Sequence, residues 1–403
     1  MIFCLVFMTA CTGATAPPQT QAPVQPTAPP ANLSTIEAPT EAVLQTQPPS
    51  ATPTEQPLTT STETLSATAT PAPLVLSTEA PTQAPSQAAP TEGGPPLKTQ
   101  YIDCSVTSVG LTPLIDMGAN DTYHGEDGGL YGNGQNQPPE GHFLKAQEAT
   151  ANIVPRDAQG NPSPNGKIGL VSIGMSNARI EYNVFGHMAR DVKSPNVEVI
   201  NAAQPGVLAW AWANNPPPKK DPWEVMASVI EQRGLTPEQV QVIWLKEAED
   251  GPKPGVDDFP VYAERLRDDM ATIVERVKQD YPNVQIVYLS SRIYAGYSLI
   301  PLSPEPFAYE GAFANRWLIQ DQINGGGASG VTYENAPVLL WGPYLWADGT
   351  NPRSDGLTWN CSDFKGDGVH PDDPATQKVA QMLVDFFTSD PLARTWFTRA
   401  GNP

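Results

Sequence analysis

The stretch "KIGLVSIGMSNAR", residues 167–179, passes from a strand into a helix within a few residues. Its first part, "KIGLVSIG", is short, apolar and bounded by glycine, which is typical of a fully buried strand. The residues that follow predict a helix, because apolar side chains recur at helical spacing, at Ile180, Val184 and Met188. Ser176 stands at the junction, where the free N–H groups of a helix and its positive dipole end could stabilise an oxyanion. Alternatively, this serine only caps the helix.

The alternation of strands and helices continues along the chain. Short apolar runs predict further strands, and amphipathic runs predict helices. The strands cover residues 197–204, 240–248, 284–291 and 336–344, and the helices cover residues 177–192, 222–234, 260–282, 311–323 and 374–389. Such alternation is typical of a parallel sheet with helices on both faces, which binds ligands at the carboxyl ends of its strands. We therefore expect a three-layer α/β/α sandwich with a mostly parallel sheet.

A histidine is available to activate Ser176. The chain contains 4 histidines, and His370 lies in "GDGVHPDDPAT" between the last predicted strand and the last predicted helix. Asp367 precedes it by three residues, and a turn closed by Pro371 can point both side chains into one pocket. A carboxylate in that position orients the imidazole and stabilises its charged form. The pattern therefore indicates a Ser-His-Asp arrangement at the sheet edge.

The motifs Gly-Met-Ser-Asn at residues 174–177 and Asp-Gly-Val-His at residues 367–370 resemble those of the SGNH or GDSL hydrolase superfamily. The first motif looks most like the Gly-Gln-Ser-Asn of its carbohydrate acetylesterase branch. The resemblance covers about residues 167–390 and implies a flavodoxin-like α/β/α fold and ester hydrolysis without a cofactor. It also implies that Ser176 is the nucleophile, that His370 is the base and that Asp367 orients the histidine.

The resemblance further implies an oxyanion hole that this chain completes only in part. "NAAQPG" matches the second-strand block, so Gly206 and Ser176 are expected to supply backbone N–H groups. The third block departs from the family pattern, because "WLKEAED" holds no asparagine where the family uses Gly-x-Asn-Asp. Lys246 could replace this donor, or the donor is lost. Loss of one such donor costs about 3–4 kcal/mol in typical mutant enzymes.

Aromatic residues crowd the predicted strand ends, and some of them must lie in the core. They are Trp210, Trp212, Trp244, Tyr294, Tyr297, Trp341, Tyr344, Trp346 and Trp359. Flat aromatic faces beside polar groups suit a sugar ring, so Trp210 and Trp346 are expected to contact substrate. Arg292, after the fourth strand, could hold a carboxylate or a sugar hydroxyl, or it could form a structural ion pair.

Other polar clusters receive no catalytic role. Glu247, Glu249 and Asp250 could serve a glycosidase, but a solvated loop is expected instead. His187, on the first helix, is expected to be structural. A second group, of histidines and acidic residues before the first predicted strand, matches no known metal-ligand spacing, so we predict no metal site there. Its members are Asp121, His124, Glu126, Asp127 and His142.

Composition divides the chain into two very different parts. Residues 12–98 hold 18 of the 45 prolines and no aromatic residue. Such a segment cannot bury enough apolar surface to offset its ordering entropy, so we predict a disordered tether. Residues 99–403 are expected to fold as one hydrolase-like domain, with a loop-rich cap at residues 99–166 and a core at residues 167–390.

The first eleven residues, "MIFCLVFMTAC", resemble a bacterial lipobox that ends at the lipid-carrying Cys11. The alternatives are an ordinary signal peptide and simply an apolar start of the chain. We therefore expect an exported protein, held at the bacterial cell surface by a lipid anchor alone. Cys104 and Cys361 could pair in an oxidising compartment.

The charge of the folded part limits the possible partners. Residues 99–403 carry 22 basic and 37 acidic side chains, a formal charge of −15. Nucleic acid requires a basic footprint and is not expected as a partner.

Taken together, the motifs and the resemblance favour a serine esterase that acts on an acylated carbohydrate or another small ester. The alternatives are an acyltransferase on the same fold and a glycan-binding module that has lost catalysis.

Overall fold

The computed structural model describes residues 101–214, 220–249 and 251–399. The predicted lipobox with Cys11, the predicted tether and Asp250 lie outside these residues. Cys104 and Cys361 form a disulfide, and their Cα atoms are 5.4 Å apart. None of the helices in the described ranges is long and apolar enough to cross a bilayer.

Five parallel strands form one sheet in the order β2-β1-β3-β4-β5. The strands are β1 (Ile168–Gly174), β2 (Val197–Asn201), β3 (Val240–Lys246), β4 (Ile286–Leu289) and β5 (Val338–Trp341). This order is that of the flavodoxin-like doubly wound fold, in which ligands bind where the strand order reverses. The reversal lies beside β1, because the chain moves from β1 to β2 on one side and later to β3 on the other.

Eight α-helices accompany the sheet in the described part of the chain. They are α1 (Glu140–Ala151), α2 (Ser176–Met188), α3 (Ala209–Asn214), α4 (Pro222–Gln232), α5 (Val261–Asp280), α6 (Phe307–Ile323), α7 (Asp373–Ser389) and α8 (Arg394–Phe397). Every predicted helix is present, but α1, α3 and α8 are additional. Helix α1 interrupts the expected loop-rich cap, and its only sequence signals are Pro139 and Glu140 at the start.

The helices form a layer on each face of the sheet. Right-handed crossovers place α2, which leads from β1 to β2, on the face opposite the helices that lead to β3, β4 and β5. Helix α7 packs against α2, whereas α5 packs against α6 and α3. The predicted three-layer α/β/α sandwich is therefore confirmed, and the sheet is parallel throughout.

The buried face of α2 differs from the predicted one. Ile180, Val184 and Met188 are only half-buried. The fully buried side chains are instead Ala178, Glu181, Tyr182 and Phe185, together with Asn177 in the first turn. The prediction assumed that apolar side chains mark the buried face of a helix. The buried face of α2 instead has the carboxylate of Glu181 at its centre.

A glycine at the end of β1 allows α2 to begin close to the sheet. A Cβ atom at Gly174 would lie 2.5 Å from the Ala178 Cβ atom and 2.6 Å from the Lys246 carbonyl oxygen. Both distances are too short for real contacts, so only glycine fits between β1, β3 and the first turn of α2. Ser176 therefore starts the helix directly above the carboxyl end of β1.

Candidate active site

Three side chains that the sequence singled out lie in one hydrogen-bonded row. The Ser176 Oγ atom is 2.8 Å from the His370 Nε2 atom. The His370 Nδ1 atom is 2.7 Å from the Asp367 Oδ2 atom. These distances lie within hydrogen-bond reach and link a hydroxyl to an imidazole and a carboxylate. The structure thus brings together residues that are almost 200 positions apart in the sequence.

The turn that carries His370 also fixes the charge of Asp367. Burial opposes ionisation of Asp367, but hydrogen bonds from the His370 and Val369 amides and from the imidazole outweigh it and lower the pKa of this carboxyl. Both amides donate to Oδ1 at 2.9 Å, which leaves Oδ2 for the imidazole. Because an ionised carboxylate can only accept, Nδ1 carries the proton and Nε2 is free to accept from Ser176.

Glycine is required in this turn as well. Gly368 has φ +69°, and a Cβ atom there would lie 2.7 Å from the Tyr297 carbonyl oxygen. The Asn177 Nδ2 atom donates to the Val369 carbonyl oxygen at 2.9 Å and so joins the first turn of α2 to the histidine loop. Asn177 is buried, and its contact holds Ser176 and His370 at a fixed separation. This role of Asn177 was not predicted from the sequence, although the residue lies within the Gly-Met-Ser-Asn motif.

The loop after β2 brings Gly206 to the same place. The Gln204 N–H donates to the Gly174 carbonyl oxygen at 2.7 Å, and the Ala203 N–H donates to Ser172 Oγ at 3.3 Å. These bonds tie the loop to the end of β1. Gly206 follows with φ +71° and lines a cavity together with Ser176. Within the described residues, its N–H donates to no protein acceptor, so it is available to a ligand.

The cavity beside Ser176 has a volume of about 270 Å³. Apolar side chains form much of its wall, at Leu208, Leu302 and Val369. Its polar wall comprises Ser176, Asn177, Gly206, Glu249, Arg292, Ser303 and His370. A small concave site with few polar groups that converge on a hydroxyl is suited to a compact ligand.

Lys246 does not reach this cavity, so the expected replacement of the third oxyanion donor is wrong. Its Nζ atom lies 2.7 Å and 2.5 Å from the two carboxylate oxygens of Glu181, and both side chains are fully buried. The ammonium group is thus committed to α2. Sequence reasoning missed Glu181, although its position between Ala178 and Phe185 on one helix face was a usable signal.

The acidic loop after β3 is buried, which corrects the expected solvated loop. Glu247 and Glu249 are 4% and 3% exposed. The Tyr262 hydroxyl accepts from the Glu249 N–H at 3.3 Å, and Ser303 Oγ donates to the Glu249 carbonyl oxygen. Burial raises the pKa of Glu247, and it raises the pKa of Glu249 to about 9. The Glu249 carboxyl is therefore neutral near pH 7.

The proposed aromatic sugar contacts are also corrected. Trp346 is fully buried and donates from Nε1 to the Glu305 Oε1 atom at 2.8 Å, so it cannot stack on a sugar ring. All the other aromatics at the strand ends are buried in the same way except Trp210. Trp210 is 36% exposed on α3, but it does not line the cavity around Ser176. Arg292, by contrast, does line that cavity.

The remaining histidines lie outside this site. His142 is buried between the Tyr333 hydroxyl and the Leu339 carbonyl oxygen, each at 2.7 Å. His124 and His187 are exposed. In the part of the chain that the structure describes, no group of three histidine, cysteine or acidic side chains is arranged to hold a metal ion.

No protein-family model matches the chain, and no curated protein matches it. Several solved structures do. One is a GDSL-like lipase from Parabacteroides merdae, 13% identical with a TM-score of 0.32, over 58% of this chain and 97% of that one. Another is the C-terminal catalytic domain of peptidoglycan O-acetyltransferase A from Streptococcus pneumoniae, 14% identical with a TM-score of 0.29, over 57% and 96%.

A third is a carbohydrate esterase whose active site displays divergent catalytic and non-catalytic binding functions. It is 14% identical with a TM-score of 0.32, over 58% of this chain and 68% of that one. At these TM-scores the likenesses add no weight of their own. The strand order and the place of Ser176 at the end of β1 are the architecture that the sequence motifs implied. The chain has an SGNH hydrolase-like fold.

Proposed function

We propose that this protein is a serine ester hydrolase that forms an acyl-enzyme at Ser176. The observation that carries the proposal is the row of two hydrogen bonds, from Ser176 to His370 at 2.8 Å and from His370 to Asp367 at 2.7 Å. A serine at a helix N-terminus, with a base in contact and a carboxylate behind the base, is the constellation that activates a hydroxyl for attack.

In the first half of the reaction, the Ser176 Oγ atom attacks the ester carbonyl carbon while His370 Nε2 takes the hydroxyl proton. The tetrahedral intermediate collapses, the bond to the alcohol oxygen breaks, and His370 gives the proton to the leaving alcohol. Asp367 keeps the Nδ1 proton in place and stabilises the imidazolium that forms. In the second half, water attacks the acyl-enzyme and gives one proton to His370. Ser176 then leaves with that proton, and the acid is released.

The backbone amides of Ser176 and Gly206 are the proposed donors to the negative oxygen of the intermediate. Ser176 is the first residue of α2, so its N–H has no acceptor within the helix. Gly206 faces the same cavity. Because Lys246 is bound to Glu181, the family's third side-chain donor has no replacement at the end of β3.

An acylated carbohydrate or glycan is the proposed substrate, on the strength of the Gly-Met-Ser-Asn motif. We also propose that the protein is exported and lipid-anchored through Cys11. The pairing of Cys104 with Cys361 supports an oxidising location outside the cytoplasm.

Hydrolysis of p-nitrophenyl acetate by the purified chain and its variants tests the mechanism. Ser176→Ala and His370→Ala should each lower kcat/KM by at least about a thousandfold, since neither attack nor proton transfer remains. His187→Ala is the matched control. His187 is exposed on α2, the helix that begins at Ser176, so its substitution should leave the rate unchanged. Full activity of the Ser176→Ala variant would rule out the acyl-enzyme.

Adding an acceptor sugar to the same assay separates hydrolysis from transfer. A hydrolase releases free acid at a rate that the acceptor does not change. An acyltransferase is slow in water and forms an acylated sugar when the acceptor is present. A glycan-binding module without catalysis would hydrolyse no ester and would bind glycans equally well after Ser176→Ala.

A further inference from the structure

Arg292 is a buried cation with unused hydrogen-bond donors. The side chain is 4% exposed, and its Nη1 atom donates to the Leu302 carbonyl oxygen at 3.3 Å. Its Nε and Nη2 atoms are buried and have no hydrogen-bond partner among the described residues. A guanidinium stays protonated in proteins, so a full positive charge lies here with two donors unsatisfied.

The other buried cations of the described chain each have a carboxylate partner. Lys246 pairs with Glu181, Arg316 with Glu126 and Asp127, and Arg353 with Asp355. Arg292 has no carboxylate within ion-pair distance in the described part of the chain. Burying a charge without a partner costs several kcal/mol. Arg292 is therefore the buried cation that is open to an anionic partner from outside the chain.

Glu305, Glu181 and Glu247 favour the charge of Arg292 from a distance, but none of them forms an ion pair with it. Burial raises the pKa of Glu247, and it raises the pKa of Glu249 to about 9, so the charged form of both carboxyls is disfavoured. Glu305 accepts hydrogen bonds from Trp346 Nε1 at 2.8 Å, from the Ala295 N–H at 2.9 Å and from the Tyr309 N–H at 3.1 Å. Its oxygens are thus directed to other donors.

The free donors of Arg292 have the geometry of a carboxylate site. Nε and Nη2 lie along one edge of the guanidinium plane, and that edge binds the two oxygens of a carboxylate through parallel hydrogen bonds. Arg292 lines the same cavity as Ser176. We propose that Arg292 binds a carboxylate group carried by the ester substrate, so that the enzyme selects anionic esters. This inference rests on the proposed hydrolase function of Ser176.

A carboxylate fits this edge better than the oxyanion of the reaction does. The oxyanion is a single oxygen that carries charge only transiently, and the Ser176 and Gly206 amides are placed to receive it. A substrate carboxylate offers two oxygens and a permanent charge. The groove on the outer side of Ser176 is also cationic, because Arg179, Arg233 and Lys365 line it against the single carboxylate of Asp373.

Two pairs of esters test the proposal on the full chain. p-Nitrophenyl hydrogen succinate and p-nitrophenyl butyrate differ by a carboxylate in the acyl part. 4-Acetoxybenzoate and its methyl ester differ by a carboxylate in the alcohol part. For each pair, kcat/KM for the anionic ester is divided by kcat/KM for the neutral ester. Comparing this ratio between wild type and Arg292→Met cancels the intrinsic reactivity of each ester.

In at least one pair, Arg292→Met should lower this ratio by roughly tenfold to a hundredfold, the range expected for a charge-assisted bidentate contact. The rates on the neutral esters report any general effect of the substitution on the site, and the ratio removes that effect. Arg353→Met is the matched control. That side chain donates to the Tyr344 and Trp346 carbonyl oxygens at 2.7 Å and 3.0 Å, so its loss should lower Tm and leave the ratio unchanged.

Two results would overturn the proposal. One is an unchanged ratio in both pairs. The other is an equal loss on neutral and anionic esters, which would assign Arg292 to the oxyanion instead. If wild type hydrolyses no ester, the proposed hydrolase function is wrong. A binding measurement then tests separately whether Arg292 binds a carboxylate. Calorimetry on Ser176→Ala should show binding of monomethyl succinate or 4-acetoxybenzoate that Arg292→Met removes. Equal binding by both proteins, or none, contradicts the site.

Discussion

Ser176 and His370 meet because small, local features leave each of them one position. Gly174 lets α2 start against the sheet, and Asn177 binds the carbonyl oxygen of Val369 in the histidine loop. Both features lie within four residues of sequence around Ser176. The sequence predicted the three-residue row although it spans 194 positions, because Asp367 lies three residues before His370 and both motifs resemble those of one superfamily.

The residues that sequence reasoning misplaced depend on partners far along the chain. Lys246 is bound to Glu181, 65 residues earlier, and Trp346 is bound to Glu305, 41 residues earlier. Glu247 and Glu249 look like a solvated charge run, yet both are buried, and Ser303 contacts the Glu249 backbone. A sequence pattern shows which side chains are polar but not which other segments bury them. The positions of these side chains could therefore not be predicted from the sequence.

Glu305 gives a prediction about the dependence of stability on pH. Burial raises its pKa from an ordinary value of 4.5 to about 7. The folded state thus binds this proton more tightly than the unfolded state. The resulting stabilisation is complete below about pH 4.5 and is lost as the pH rises through about 7. Glu305→Gln cannot ionise, and its amide oxygen can still accept from both Trp346 and Ala295, which share Oε1.

Urea unfolding of wild type and Glu305→Gln at pH 4.5 and pH 8 measures this effect. Relative to the variant, wild type should lose about 3 kcal/mol of unfolding free energy between the two pH values. Taking the difference between the two proteins cancels the other titrating groups. A difference that does not change with pH would show that Glu305 titrates normally in the folded protein.

At the scale of elements, the pair of Lys246 and Glu181 fastens the end of β3 to α2. Burial raises the pKa of Glu181 and lowers that of Lys246, and the charge of each partner offsets the shift of the other. Lys246→Met should cost about 3–5 kcal/mol, because it leaves a buried carboxylate without a partner. The double variant with Glu181→Met removes both charges and should recover most of that loss.

Urea unfolding of the single and double variants checks this prediction. Lys145→Met is the exposed control, since its contact with Glu148 lies on the surface and should be worth less than about 1 kcal/mol. A double variant that is as unstable as Lys246→Met would show that packing, and not an unpaired charge, causes the loss.

The elements themselves were largely predictable. All five strands and the long helices follow from apolar runs and helical periodicity. Helix α1 was missed because "EGHFLKAQEATA" has little amphipathic contrast and follows a loop rich in glycine and proline. Helix α3 is only six residues long, too short for its periodicity to be recognised.

At the scale of the molecule, the α/β/α sandwich places a small cavity at the end of β1. Strand order could not be read from the sequence, because it depends on which strands pair across long crossovers. Once that order is known, Ser176, Gly206 and Arg292 come to one place from three separate strand ends. The reactivity of that serine is the central claim.

Labelling of the full chain with a fluorophosphonate, followed by peptide mapping, tests this claim most directly. A fluorophosphonate reacts with a serine that a base activates beside a formed oxyanion site. We predict one label, on Ser176, that is absent from the Ser176→Ala variant and from urea-unfolded protein. A folded wild-type protein that remains unlabelled at Ser176 would contradict the hydrolase mechanism.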